Sequence, residues 1–247
     1  MEITILGSGN YFPSMRRKPP GYLLKINGKN LVFDLGSGTL QSLLKFNVDY
    51  NTIDCIFITH NHPDHIADLI PLFHVCRSNR KTNLNIIGFK GVEKFIKGIF
   101  KTIPSTEPKI YKINYTEMSD SQINIDGINV KSKLLKHSRS KDCIGFRIEA
   151  EGKIITYSGD SDICKNLEKL SKDADLFICE ATMPNELKYK GHLTPSEAGE
   201  IARKSNVKKL ILTHFNPICG KYDMKSQAED TFGGEVIIGE DLMTIKV

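Results

Sequence analysis

Within the run His60 to His65, which reads His-Asn-His-Pro-Asp-His, the chain gathers three of its seven histidines and one carboxylate. The run follows directly on the apolar stretch Ile56-Phe57-Ile58-Thr59. A β-branched stretch of that kind reads as a buried strand, and Pro63 suits the first turn of a helix, where no backbone N–H is required. The motif therefore belongs at the carboxyl end of a strand. His60 and His62, two apart in an extended segment, can project into one space, while Asp64 and His65 sit on the turn opening a helix expected over Ile66 to Cys76. The two pairs can thus face two neighbouring metal ions. Imidazole nitrogen and carboxylate oxygen without thiolate suit zinc, with manganese or iron as alternatives. A structural zinc would be closed by four protein ligands, often cysteines, whereas this mixture leaves room for water.

Composition narrows the class less sharply. A chain of 247 residues with 40% hydrophobic content can bury one substantial core, so residues 1–247 are expected to form a single domain. No stretch reaches the roughly 18 apolar residues of a membrane span, and Met1 to Leu6 has the pattern of a strand and not of a signal peptide. A cytoplasmic protein is expected. Six cysteines without a Cys-x-x-Cys pair, several inside apolar runs, read as buried thiols and not as disulfides. The net charge of +5 favours an anionic substrate slightly and is far from that of a nucleic-acid arm.

Along the chain, strands are expected at Met1 to Leu6, Tyr22 to Ile26 and Asn30 to Asp34, with Asn27-Gly28 as a tight turn. The long loop between the first two contains Arg16-Arg17-Lys18, three cations that either meet phosphates or are solvated. Helices near Leu40 to Phe46 and Gly91 to Thr102 alternate with strands in the first half. Strands dominate the middle: Ile110 to Ile113, Gln122 to Ile125, Ile128 to Leu135, Cys143 to Glu149 and Lys153 to Tyr157, with turns at Asp126-Gly127 and Glu151-Gly152. Helices return at Cys164 to Ser171 and Thr194 to Ser205, around strands Ala174 to Cys179 and Lys209 to Thr213, and Glu235 to Ile238 and Leu242 to Val247 close the chain. Such an order suggests an α/β fold of two facing sheets with helices outside, a four-layer αβ/βα sandwich.

Several short motifs fall at strand ends: Phe33-Asp34-Leu35-Gly36, the histidine motif, His137, Ser158-Gly159-Asp160 and Leu212-Thr213-His214-Phe215. In this order they resemble the metallo-β-lactamase-fold hydrolases, and within them the ribonuclease Z-like branch, from end to end of the chain. The resemblance implies one metal on His60, His62 and His137, a second on Asp64, His65 and His214, Asp160 bridging both, and Asp34 orienting a ligand histidine. It further implies that Glu180, in Glu-Ala-Thr, and His192, in His-x-Thr, flank the metals. On the bland reading the second motif only starts a helix, with Thr194 and Glu197 as a capping box. Thr194 is taken as that cap and His192 as the functional residue. His74 has no counterpart in the pattern and reads as packing or surface.

The expected chemistry is hydrolysis of a phosphodiester, with RNA as a candidate substrate. Water activated between two metals attacks, Asp64 orients or deprotonates it, and His192, supported by Glu180, protonates the leaving oxygen. In ribonuclease Z an arm that grips transfer RNA is inserted between the lone histidine and the Gly-Asp motif; here only two strands fit between His137 and Asp160. Family analogy also implies a homodimer. Two other classes stay open, a carbon-ester hydrolase of thioesterase or lactonase type and a metal-free nucleic-acid binder.

Overall fold

Buried β-branched and aromatic runs become strands throughout, and the computed structural model describes residues 1–137 and 143–247. Two compact units result, residues Met1–Glu117 with Asp241–Lys246, and residues Met118–Glu240. The first is built on β1 (Glu2–Gly7), β2 (Gly21–Ile26), β3 (Lys29–Leu35), β4 (Ile53–Ile58), β5 (Leu84–Phe89) and β6 (Ile113–Met118). With the carboxyl-terminal strand Thr244–Lys246 beside β1 they form one seven-stranded sheet, ordered as numbered. β1 to β3 are an antiparallel meander, and Asn27 and Gly28 both adopt positive φ, 50° and 72°, as a two-residue hairpin demands. β3, β4 and β5 are parallel, which requires crossovers. Helix α1 (Thr39–Lys45) provides the first, and α2 (Pro63–Ile66) and α3 (Leu69–Cys76) the second; α4 (Val92–Thr102) follows β5 and buries Val92, Ile96 and Phe100 at helical spacing.

The single helix expected over Ile66 to Cys76 is broken at Asp68. Its N–H donates to the Leu35 carbonyl, 2.9 Å, and its carboxylate accepts from the Leu40 N–H, also 2.9 Å. Asp68 thereby satisfies an orphan donor in the first turn of α1, whose own cap, Gly38, has no side chain to do so. The strand expected over Ile110 to Ile113 begins instead at Ile113, because Ile110 is exposed and the Tyr111 ring lies 5.8 Å from the buried Arg80 guanidinium.

The second unit contains β7 (Ser121–Ile125), β8 (Ile128–Leu134), β9 (Ile144–Ala150), β10 (Lys153–Tyr157), β11 (Leu176–Glu180), β12 (Lys209–Thr213) and β13 (Glu235–Ile238), one sheet in that order. β7 to β10 are antiparallel; β10 to β13 are parallel, crossed by α5 (Lys165–Ser171), α6 (Pro195–Lys204) and α7 (Met224–Phe232). Helix α7 has no counterpart among the helices expected from the sequence. Its apolar positions are sparse, Met224, Ala228 and Phe232, yet the Asp223 cap and left-handed Gly233 after its end are helix signals. α6 and α7 approach closely at Gly199, where a Cβ would stand 2.5 Å from the Ala228 carbonyl oxygen. Among the described residues no helix is long and apolar enough to cross a membrane. All six cysteines are free.

Candidate metal centre

β4 delivers its motif by being buried along nearly its whole length and stopping at Thr59. The Asp34 carboxylate, at the end of neighbouring β3, accepts from the Thr59 N–H (2.9 Å), the Thr59 hydroxyl (2.9 Å) and His65 Nδ1 (2.8 Å). Since the Thr59 proton points at Asp34, the Thr59 oxygen is an acceptor for His60 Nδ1 at 3.0 Å. Both imidazoles are thus fixed in the tautomer whose Nε2 carries the lone pair, the form that ligates a metal. The His62 ring stands edge-on to His60, centroids 4.4 Å apart, and His60 and His65 lie 4.2 Å apart. Asp64 and His65 are buried in the single turn α2, which Pro63 opens. Gly36 is required here, because a Cβ would fall 2.2 Å from the Asp64 carbonyl oxygen.

In the second unit the carboxyl ends of three adjacent parallel strands carry the chemistry: Asp160 beyond β10, Glu180 ending β11 and His214 after β12. Glu180 is 1% exposed and wholly bonded within the protein. Oε1 accepts from the Ser161 N–H (2.8 Å) and His192 Nδ1 (3.0 Å), and Oε2 from the Thr182 hydroxyl (2.6 Å) and N–H (3.2 Å). With its proton on Glu180, the Thr182 oxygen accepts from His214 Nδ1 at 2.7 Å. His137 Nδ1 donates to the Gly191 carbonyl, 2.9 Å. His214 and His137 therefore also present Nε2, and these atoms face Asp160 oxygens at 3.3 and 3.6 Å.

A neutral imidazole lone pair opposed to a carboxylate oxygen repels it, and the arrangement holds only with a cation, a proton or a metal ion, between them. Asp160, His192 and His214 bring ligand atoms within 4.8 Å of one another. The donor set thus fits divalent metal. Four of the five histidines assigned to metal, His60, His65, His137 and His214, have Nδ1 anchored, by Thr59, Asp34, Gly191 and Thr182 respectively.

The loop bearing His192 has its own clamp. Lys188 Nζ binds Asp162 (2.9 Å), the His192 carbonyl (2.5 Å) and Glu197, while Asp162 also accepts from the Gly191 N–H (3.1 Å). Lys188 and Asp162, like Thr59, are not marked in the sequence, since single polar residues outside a ligand pattern carry no signal. The Thr194–Glu197 capping box forms as expected. His74 is exposed and bonds the Ser105 carbonyl. Of the three loop cations, Arg17 bonds Ser8 and Lys18 bonds Ser42, both at 2.7 Å, so two serve to hold the loop.

Two sheets bounded by helical crossovers and histidine and aspartate clusters at strand ends define a metallohydrolase-type α/β protein. The chain belongs to the β-lactamase superfamily, whose domain matches residues 29–215. It is similar to ribonuclease Z of Archaeoglobus fulgidus, 27% identical with 100% of this chain and 97% of the relative covered. Ribonuclease Z of Mycolicibacterium gilvum is 28% identical, with 100% and 96% covered. The alignment with the Archaeoglobus protein runs over 302 positions against 247 residues here, so that relative carries insertions this chain lacks. Among solved structures, the metallo-β-lactamase fold protein YhfI from Bacillus subtilis superposes with a TM-score of 0.87 at 26% identity, covering 99% and 98% of the two chains. The short form of human tRNase Z, ELAC1, gives 0.82 at 26%, covering 100% and 99%. The fold class and the ribonuclease Z-like resemblance expected from the sequence are borne out.

Proposed function

We propose that residues 1–247 act as one dinuclear metal-dependent phosphodiester hydrolase, with His60, His62 and His137 on one metal, Asp64, His65 and His214 on the other, and Asp160 shared. Two zinc ions are the ligand set's first choice, manganese or iron the alternatives. When bound, such metals polarise the phosphoryl oxygens and lower the pKa of water. Asp64, through its second carboxylate oxygen, orients the attacking water and accepts its proton. His192, held through Nδ1 by Glu180, presents Nε2 to the leaving oxygen and protonates it. Glu180 acts through His192, because all its hydrogen bonds stay within the protein.

The Glu180–Thr182–His192 constellation carries this reading. It couples a proton donor to the cluster containing Asp160 and His214, and an alkoxide leaving group needs that proton. The named relatives act in support, two being called ribonuclease Z and one tRNase Z. RNA is accordingly the expected substrate class. Free cysteines agree with a cytoplasmic location, and the resemblance implies a homodimer, to be checked by light scattering.

The test compares metal-loaded protein on a 3′-extended precursor transfer RNA, a bis-aryl phosphodiester and an acyl thioester, with Asp64→Ala as control. Cleavage at the acceptor end is the expected result. Activity on the small phosphodiester alone would assign a different phosphodiester substrate, and faster thioester hydrolysis would overturn the reading in favour of a carbon-ester hydrolase. A chelated protein that binds RNA with steep salt dependence and never hydrolyses it would make it a binder.

A further inference from the structure

Beside the histidine motif, the first unit contains a cleft of about 630 Å3 reached from Asn61 and extending along α4. Its walls are apolar: Ile70, Phe89, Phe95, Ile99 and Ile103. Phe95 is half-buried with its ring 6.3 Å from that of the buried Phe89. Two cations, Lys90 and Lys94, share the lining, and no acidic side chain does. Both are exposed, and neither has an ion-pair partner among the described residues, whereas the next lysine of the helix, Lys97, is neutralised by Glu93 at 2.6 Å. Gly91 turns the chain between β5 and α4 at φ 99°, a conformation that only glycine adopts without strain.

An apolar recess of this size takes one or two units of a small ligand, and its cations say which. A hydrocarbon chain would fill the walls and leave two ammonium groups without counter-charge. A nucleotide matches both features, its base having an apolar face for stacking and its phosphate a charge for lysine. We propose that this cleft is a nucleotide subsite, in which a base lies against Phe95 and Ile70 and a non-scissile phosphate meets Lys90 and Lys94. Asn61, between His60 and His62, makes the cleft continuous with the histidine motif in sequence. The subsite deepens the phosphodiesterase reading and rests on it: it selects a polynucleotide over a small ester by holding the residue next to the cleaved bond.

The test uses the full chain in two arms. In the first, chelated protein is titrated with a short fluorescein-labelled oligouridylate and anisotropy is followed at several salt concentrations. The variant Lys90→Glu/Lys94→Glu is expected to raise Kd at least about tenfold and to flatten the salt slope by about 0.7, the contribution of one single-strand phosphate contact. Phe95→Ala is expected to weaken binding about tenfold through lost stacking, and Phe95→Leu, which keeps the packing, guards against a folding defect. In the second arm, metal-loaded proteins hydrolyse the oligonucleotide and a bis-aryl phosphodiester. The lysine variant should raise KM for the former and leave kcat/KM for the latter within about twofold. Unchanged oligonucleotide binding or equal loss on both substrates would each overturn the subsite. A wild type that hydrolyses neither phosphodiester would sink the functional reading, and the anisotropy arm would still decide whether the cleft binds nucleotide.

Discussion

Two of the side chains assigned to the metal centre sit where an ordinary residue would not. Asp34 and His214 hold φ at 51° and 64°, the left-handed region, at a cost of about 1–3 kcal/mol each. The reward is aim: Asp34 meets His65 and Thr59 together, and His214 turns Nδ1 onto Thr182 and Nε2 toward Asp160. The candidate ligands His60, His62, Asp64 and His65 were legible in the sequence because His-x-His-x-Asp-His is dense, whereas the threonines that set the tautomers were not, since a threonine at a strand end is common. Thr59→Val keeps the shape and removes the hydroxyl between Asp34 and His60. Metal affinity is expected to fall about 10- to 100-fold, as for other residues that orient metal ligands, in a competition titration against a chromophoric chelator. Glu180→Gln separates proton delivery from binding. It should lower kcat about 10²- to 10³-fold with KM little changed, and the double variant with His192→Ala should be no worse than His192→Ala alone, because the two act as one unit. Additive losses would give Glu180 an independent role.

At the scale of elements, buried parallel strands and their helices followed from apolar runs, and failures came where a polar contact overrode local pattern. Asp68 interrupts the expected helix because Leu35 and Leu40 offer it better bonds, and that competition exists only once β3 and α1 are in place. α7 was missed because its apolar positions are only every fourth residue, too sparse a stripe for the Asp223 and Gly233 end signals to reinforce. The strand ends, in contrast, fall close to where they were expected, with Asp160 beyond β10, Glu180 ending β11 and His214 after β12. The 188–192 loop joins these ends through Lys188 and Asp162, so Lys188→Met is expected to reduce kcat about tenfold or more by loosening both His192 and the Gly191 carbonyl that orients His137. The unfolding midpoint should move little, as Lys188 is partly solvated; a large fall in stability with normal kcat would assign the clamp to folding alone. Arg80 behaves oppositely. It is 1% exposed and donates to the carbonyls of Tyr50, Ile53, Thr82 and Asn83, tying the approach to β4 to the approach to β5. Arg80→Met strips the donors from these carbonyls and is expected to cost about 3–5 kcal/mol in urea unfolding.

For the molecule as a whole, a few carboxylates outside the centre bear on stability through pH. Asp120 is held below the usual carboxylate range by the Leu134 N–H, at 2.8 Å, assisted by Lys133. Burial works against ionisation of Glu149 and Asp175 but is outweighed, for Glu149 by Lys131 and Arg147, and for Asp175 by Lys208 and the Ile154 N–H. All three belong to the second unit. Their folded pKa values lie below their unfolded ones, so at acid pH the unfolded chain binds more protons and stability rises with pH. The stabilisation is complete above the unfolded carboxylate value of about 4 and disappears as pH falls through the lower folded values. The comparison of variants with wild type isolates these carboxylates from every other titrating group. Urea midpoints of the chelated wild type should therefore be lost steeply below about pH 4, and Glu149→Gln together with Asp175→Asn should flatten that descent while lowering the plateau at pH 7. Variant and wild-type curves that run parallel through the acid range would show that these two carboxylates contribute nothing to acid unfolding, and would overturn their assignment.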